Sequence, residues 1–362
     1  MNLEIRKIRL DELDEFVKSE TYNLLSTIPI TPDRAKSYIN NPNAKPDDVV
    51  LYLGFIENKL LAFRTLFAEE INSNNLPIHF GWCSGNWVHP DYRRLGFSEQ
   101  LLKEAYSDWN KKLMFTNYAP NSEKLYLKTG WFQPIHKFDG VRGYLFPKTR
   151  KRIARANTNK ISKFAYLVLD VLISIISSCR VLFFINKQNN NIRFETISTP
   201  DKQCFEFKYQ DNSKFLFNRE EKELNWIFQF PWLSSTDNSL IHKYPFSSFS
   251  KSFYYRTVKI FAENKFEGYF IFSVREGHLK TLYFNMQNGF EKEITLFLKQ
   301  FCVENKIEII TVYNSTLAKQ FFEQKFPFLH VKKYGQKIYS SFEIKNNSKY
   351  QFQDGEGDVI FT

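Results

Sequence analysis

Arg93-Arg94-Leu95-Gly96-Phe97-Ser98 lies between a strand-like run, Trp82 to Val88, and a helical run, Glu99 to Lys111. A turn that opens a helix leaves backbone N–H groups without intrahelical partners, and with the helix dipole these hold an anion such as a diphosphate. Gly96 lets that anion come close to the backbone. In His89-Pro90-Asp91-Tyr92 the proline cannot donate to a sheet ladder, so it closes the strand, and two cationic side chains follow at once. Arg93, Arg94, Leu95, Gly96, Phe97 and Ser98 are therefore the candidate diphosphate-binding residues.

Outward from this turn, Leu3, Ile5, Ile8 and Leu10 predict a first strand, Asp11 to Ser19 an acidic helix, and Thr31-Pro32-Asp33 the start of another. Val49 to Ile56 and Leu60 to Ala68 read as strands joined at Glu57-Asn58, and Ile78 to Val88 as the next. After the turn come a helix to about Lys112, strand Leu113 to Asn117, a helix around Ser122 to Lys128 and strand Trp131 to Phe138.

Val88 to Leu101 reads V-x-P-x-Y-R-x-x-G-x-S-x-x-L. This resembles the acyl-coenzyme-A signature of the GNAT acetyltransferase superfamily, and the element order is the α+β order of a GNAT domain ending near Phe146. Asn121 to Trp131 resembles the family's later motif, in which an Asn opens a helix that carries a Tyr. Here Asn121 and Tyr126 are five apart, where about seven is usual.

The second half repeats the outline: strands Phe253 to Phe261, Glu267 to Val274 and His278 to Asn285, helix Phe290 to Glu304, strand Ile307 to Val312 and helix Ser315 to Gln324. Asn314 to Phe321 keeps the seven-residue spacing with Phe in place of Tyr. The equivalent turn, Asn285 to Phe290, lacks the arginines and is followed by Glu291 and Glu293, which suit the helix dipole and repel phosphate. The expected fold class is thus α+β. Two tandem GNAT-like domains, each a mixed, mostly antiparallel sheet flanked by helices, would occupy 1–146 and 192–362, the second degenerate.

The connector, 147–191, is unusual. Residues 141 to 169 carry eight Lys and Arg and no Asp or Glu, and Phe164 to Ile185 is strongly apolar. Lys163, Asp170, Ser174 and Ser177 trace one polar stripe on a helix, and an Asp in mid-membrane costs about 3 kcal/mol, so an amphipathic helix is favoured over a spanning one. Packing between domains is the preferred expectation, and peripheral contact of 148–185 with an anionic membrane the alternative. Lys187 to Asn191 reads as a loop, and the acidic Gly-Asp tail, Gln353 to Thr362, as a tight turn into a final strand.

The chain has 362 residues, 38 Phe and 19 Tyr against 13 Gly, and a formal charge of +11, so ring-lined cores and anionic small-molecule partners are expected. No nucleic-acid-binding motif accompanies the charge. Cys83, Cys179, Cys204 and Cys302 lie far apart with no His cluster, so neither a metal site nor a disulfide framework is expected and a reducing cytoplasm fits.

The resemblance implies acetyl-CoA as acyl donor, with Trp87 and Val88 pairing with its pantetheine arm, Asn121 near the coenzyme and Tyr126 protonating the leaving thiolate. The strand 78–89 holds no carboxylate, leaving His79 and His89 as candidate bases. By the strand's two-residue period Ser84 and Asn86 share the face of Trp82 and are acceptor-side candidates. Trp226, Phe228, Phe230 and Trp232 alternate like a strand; by analogy with tandem relatives Arg219 and Trp226 are candidate acceptor residues. The resemblance to tandem proteins of bacterial surface-polysaccharide synthesis implies the primary amine of an amino sugar as acceptor. Two other readings stay open: tRNA-dependent aminoacyl transfer to a cell-wall precursor, and a coenzyme- or glycan-binding module without turnover.

Overall fold

A computed structural model describes residues 3–73, 76–117, 120–148, 160–184, 191–208, 215–217, 219–345 and 349–361. Strand β1 (Glu4–Arg9) leads to helices α1 (Leu13–Lys18), α2 (Glu20–Leu24) and α3 (Pro32–Ile39). Strands β2 (Val49–Ile56), β3 (Lys59–Ser73) and β4 (Leu76–Val88) follow, then α4 (Phe97–Asp108), β5 (Leu113–Thr116), α5 (Pro120–Lys128) and β6 (Gln133–Tyr144). Next come α6 (Lys160–Leu182), β7 (Ile192–Ile197), α7 (Lys202–Glu206), α8 (Glu221–Gln229), β8 (Phe253–Ala262), β9 (Lys265–Arg275) and β10 (His278–Met286). Helix α9 (Glu291–Glu304), β11 (Ile309–Val312), α10 (Ser315–Glu323), β12 (His330–Ser340) and a 3-10 helix, Gly357–Phe361, complete the chain. The class is α+β, as expected.

Two compact units result, and they are interleaved where the sequence reading draws contiguous spans. Unit 1 comprises Met1–Lys137, Gln210–Lys251 and Gln336–Thr362; unit 2 comprises Phe138–Tyr209 and Ser252–Gly335. In unit 1, β1, β2, β3 and β4 run antiparallel, β4 meets β5 in parallel, and the end of β12 closes antiparallel on β5. In unit 2, β7, β8, β9 and β10 run antiparallel, β10 meets β11 in parallel, and β6 closes antiparallel on β11. The topology is the same twice, with β6 and β12 each completing the unit the other started from. Matching turns reinforce the repeat: Glu57-Asn58 and Glu263-Asn264 both take positive φ at both residues, the twist that suits a two-residue hairpin.

Each unit has its own core. In unit 1, Leu101, Leu102 and Ala105 of α4 pack on Leu61, Leu66 and Phe115, all buried, at about 2 kcal/mol for each large side chain. In unit 2, Leu298 and Phe321 pack on Phe270, Phe272 and Ile310.

Three sequence readings change. Residues 226–232 do not form a strand. A reciprocal capping box between Glu220 and Glu223 starts α8, whose Leu224, Trp226 and Ile227 are buried. The tail ends in a buried 3-10 helix, not a strand, with Gly357 so close to Trp82 that a Cβ there would meet the ring at 2.3 Å. In α6, Asp170 and Ser177 of the predicted stripe face inward, Ser174 is exposed, and the apolar side is exposed where packing was expected. Residues 149–159 of the basic leader and 185–190, with most of the predicted loop, lie outside the described residues.

Candidate active site

Strand β4 pairs with β3 out to Val88, yet meets β5 only at Gly81 and Trp82. From Cys83 onward the two parallel strands part, and the β5-side edge of β4 is open to an added extended chain. The β3–β4 register shifts between Thr65 and Leu66, whose partners are Gly85 and Cys83, so Ser84 is an extra, bulged residue. A bulge reverses the alternation of faces. Ser84 and Asn86 therefore do not share a face, as the two-residue period predicts: Ser84 turns toward Arg34 and Asp358, and Asn86 toward Arg64 and Ser98.

Beyond Val88 the chain makes the predicted turn. His89 caps a 3-10 turn, Pro90–Tyr92, accepting a weak hydrogen bond from the Asp91 N–H. Arg94 and Gly96 then adopt positive φ (69° and 82°), and α4 begins at Phe97. The Glu99 and Gln100 N–H groups donate to the Gly96 carbonyl, while those of Arg94, Leu95, Gly96, Phe97 and Ser98 have no partner among the described residues. Nothing lies within 4 Å of a Cβ built on Gly96. This is an exposed row of donors at a helix N-terminus, the physical form of an anion cradle.

A cavity of about 810 Å³ joins the cradle to the open edge of β4. Asn86, Trp87 and Val88 line it from β4, residues 92–94 and 96–99 from the turn, Asn121, Ser122, Leu125 and Lys128 from α5, and Pro245 and Phe246 from the segment that returns to unit 1. Leu95 is exposed in the turn. Phe246 meets Phe63 edge-to-face, and Phe63 stacks on Trp87, so the two cavity-lining rings share a buried aromatic backing.

Beneath it lies a group the sequence did not flag. Arg64 is fully buried on β3; its guanidinium donates to the Tyr126 hydroxyl at 2.6 Å and reaches Asn86 Oδ1 and the carbonyl and hydroxyl of Ser98 at 3.3–3.4 Å. Ser98 in turn donates to Asn86 at 2.7 Å. Among the described residues Arg64 has no ion pair. A buried cation without a carboxylate is costly on its own, and an anion in the cavity offsets that cost. The donors and the positive-φ glycine fit a diphosphate, which 94–98 would hold with Arg93, Arg94 and Lys128 around it.

The other predicted residues disperse. Tyr126 is buried against Phe115 and does not line the cavity, and burial pushes its pKa up. Its phenol is a partner for Arg64. Burial likewise raises the Cys83 thiol, which is no nucleophile. His79 stacks on Trp109 with Nε2 2.8 Å from Asp48 Oδ1, eight residues up the strand from Trp87 and away from the cavity. His89 sits beside it, between the rings of Trp87 and Tyr92. Arg219 and Trp226 are structural: Arg219 donates to buried Glu356 at 3.2 Å, and the Trp226 indole donates to the Ser37 carbonyl at 2.7 Å.

What the sequence missed assembles around Ser84. The Ser84 hydroxyl accepts from Arg34 Nη2 and donates to Asp358 Oδ2 at 3.2 Å. Arg34, fully enclosed, also donates to Tyr244 at 2.8 Å and Tyr38 at 3.0 Å, and lies 4.0 Å over the Trp232 ring. Ser84 and Asp358 are both half-buried and open to solvent. The carboxylate absent from β4 is thus delivered to it by residue 358, through long-range folding that no local pattern encodes.

With this geometry the chain resembles known acyltransferase folds. A tandem GNAT protein from the clavulanic acid biosynthesis pathway matches over 94 % of this chain and 98 % of its own, at 9 % identity and TM-score 0.50. A probable N-acyltransferase from Enterococcus faecalis V583 matches over 94 % and 72 %, at 10 % identity and TM-score 0.51. Saccharomyces cerevisiae N-myristoyltransferase with bound myristoyl-CoA matches over 93 % and 82 %, at 12 % identity and TM-score 0.50. No family model matches the chain, and no curated protein matches it in sequence. At these identities the likeness is one of fold, and the fold is that of the tandem GNAT proteins.

Proposed function

We propose that the protein is an acyl-coenzyme-A-dependent N-acyltransferase whose single working site lies in unit 1. The observation that carries this is the row of unpartnered N–H groups at residues 94–98, opening into the same cavity as the free edge of β4. The cradle binds the diphosphate, with Arg64 beneath it fixing Asn86 and Ser98; Trp87 and Val88 pair with the pantetheine arm and aim backbone donors at the thioester oxygen, a contribution of about 3 kcal/mol in other acyl transfers. The aromatic lining formed by Trp87 and Phe246 favours a short acyl group, and acetyl-CoA is the proposed donor.

The acceptor amine lies on the Ser84 side of β4. Asp358 takes its proton through the Ser84 hydroxyl, which Arg34 orients, as the amine nitrogen bonds the thioester carbon, the C–S bond breaks and coenzyme A leaves as a thiolate that is protonated from solvent. Amino sugars, carried on a nucleotide or lipid diphosphate in surface-polysaccharide synthesis, are the proposed acceptors: Asp358 suits an ammonium, Phe246 offers a ring face, and the chain's positive charge suits a phosphate-linked substrate.

Calorimetric titration of acetyl-CoA into wild type and Gly96→Trp, followed by acetylation assays on amino sugars and other primary amines, tests this. Binding that is lost in the variant, with turnover on an amine, is the expected result. Wild type that fails to bind sinks the proposal. Binding without turnover on any amine moves the protein to a coenzyme-binding module, a reading favoured by the enclosure of Tyr126 away from the cavity.

A further inference from the structure

Helix α6 is built inside out. Tyr166, Asp170, Ile173, Ser177, Arg180 and Val181 recur at fours and threes and form its inward side. Ser177 donates to the Leu145 carbonyl, Arg180 donates to the carbonyls of Pro327 and Phe328 at 2.9 and 3.0 Å, and Val181 packs on the core of unit 2. The helix is thus pinned to its own unit by polar groups. Its outward side carries Phe164, Val171, Leu172, Ile175, Ile176 and Leu182, each more than half exposed, and only 6 % of Phe164–Leu182 is buried. Such a continuous apolar face is not left to water without a partner.

Charge identifies the partner. Residues 141–194 carry eleven Lys and Arg and one acid, Asp170, which faces inward. A second copy docking through the same face would bring two such basic segments together, which like-charge repulsion opposes. An anionic bilayer attracts them and accepts the apolar side. Length and composition would let the helix cross a membrane, at roughly 35 Å from end to end. Crossing would drag its hydrogen-bonded partners at Leu145, Pro327 and Phe328 into hydrocarbon, so the helix must lie flat.

We propose that α6 is a bilayer-surface anchor, seated in the headgroup region of an anionic membrane with its Ser177 and Arg180 side against unit 2. Seated there, it would hold the protein at a lipid surface whatever reaction unit 1 runs.

The test is co-sedimentation of the full chain with phosphatidylglycerol/phosphatidylcholine vesicles and with pure phosphatidylcholine vesicles, at low and high salt, for wild type and a Leu172→Glu, Ile176→Glu double variant. Both replaced side chains are exposed, and unchanged circular dichroism and melting would confirm the variant's fold. The expected result is pelleting with the anionic vesicles only, released by salt and at least tenfold weaker in the variant. Wild type left in the supernatant, or pelleted equally by neutral vesicles, overturns the proposal. A dimer seen by analytical ultracentrifugation and abolished by the same variant, without vesicle binding, gives the face to a second copy. Material that resists both salt and alkaline extraction gives it to a spanning helix.

Discussion

The two helix-opening turns, Gly96-Phe97-Ser98 in unit 1 and Gly289-Phe290-Glu291 in unit 2, follow equivalent strands of the same topology and both hold glycine at positive φ. They differ at the third residue. In unit 1 the small Ser98 leaves the amides of 94–98 open; in unit 2 the Glu291 carboxylate folds back and accepts the Gly289 N–H at 3.1 Å. One turn awaits an anion and the other carries its own. A fold can keep the geometry of an anion site and help to silence it with one side chain, because that side chain satisfies a donor and repels phosphate together.

Transplanting that difference should give the largest effect. Ser98→Glu places a carboxylate in the unit 1 cradle and should weaken acetyl-CoA binding about 100-fold, some 2–3 kcal/mol, by calorimetry. The converse, Glu291→Ser, frees one amide without supplying arginines or a buried Arg64, and no second binding event should appear in the same titration. A second stoichiometric site would show that the carboxylate alone separates the units.

Next in size is the chemistry on the Ser84 side. Asp358→Asn keeps a hydrogen-bond acceptor and removes the proton acceptor, so kcat should fall roughly 100-fold with KM for the coenzyme little changed. A variant with unchanged kcat and a flat pH profile would remove Asp358 from the reaction.

The smallest effect separates the units by their titration. In unit 1, burial holds the Glu356 carboxyl up to about 8, against the pull of Arg219. In unit 2, burial pushes His278 down to about 3. A carboxyl with a raised folded-state pKa stabilises fully below its ordinary value and loses that contribution as pH climbs toward 8. A histidine with a lowered one costs stability as pH drops below about 6.5. Between pH 6.5 and 8 the Glu356 contribution should therefore shrink as pH rises, and Glu356→Gln should flatten the slope in denaturant melts across that window.

The strands, most helices and the turn at 93–98 were legible in the sequence because each is encoded locally: apolar runs for β2 and β3, Pro90 and Gly96 for the turn, Thr and Asn caps for α3 and α10. What failed had distant causes. The faces of β4 were misread because the bulge at Ser84 is specified by its pairing with β3. Arg219 and Trp226 looked like ligand groups and are bound up with Glu356 and Ser37, and Arg34, Arg64 and Asp358 gave no signal because the partners that place them in the site, such as Ser84 and Tyr244 for Arg34, are distant in sequence. The apolar run of α6 was correctly read as a helix, but which side faces the protein depended on carbonyls at Leu145, Pro327 and Phe328.

The exchange of β6 and β12 bears on how the chain must be made. Unit 1 receives its last strand and Asp358 only after residues 336–361 emerge, so residues 1–137 leave the ribosome with an unclosed sheet edge beside β5. A fragment stopping at residue 146 should be aggregation-prone and inert even though it holds the whole cradle, and nascent chains would depend on protection of that edge until β12 has emerged.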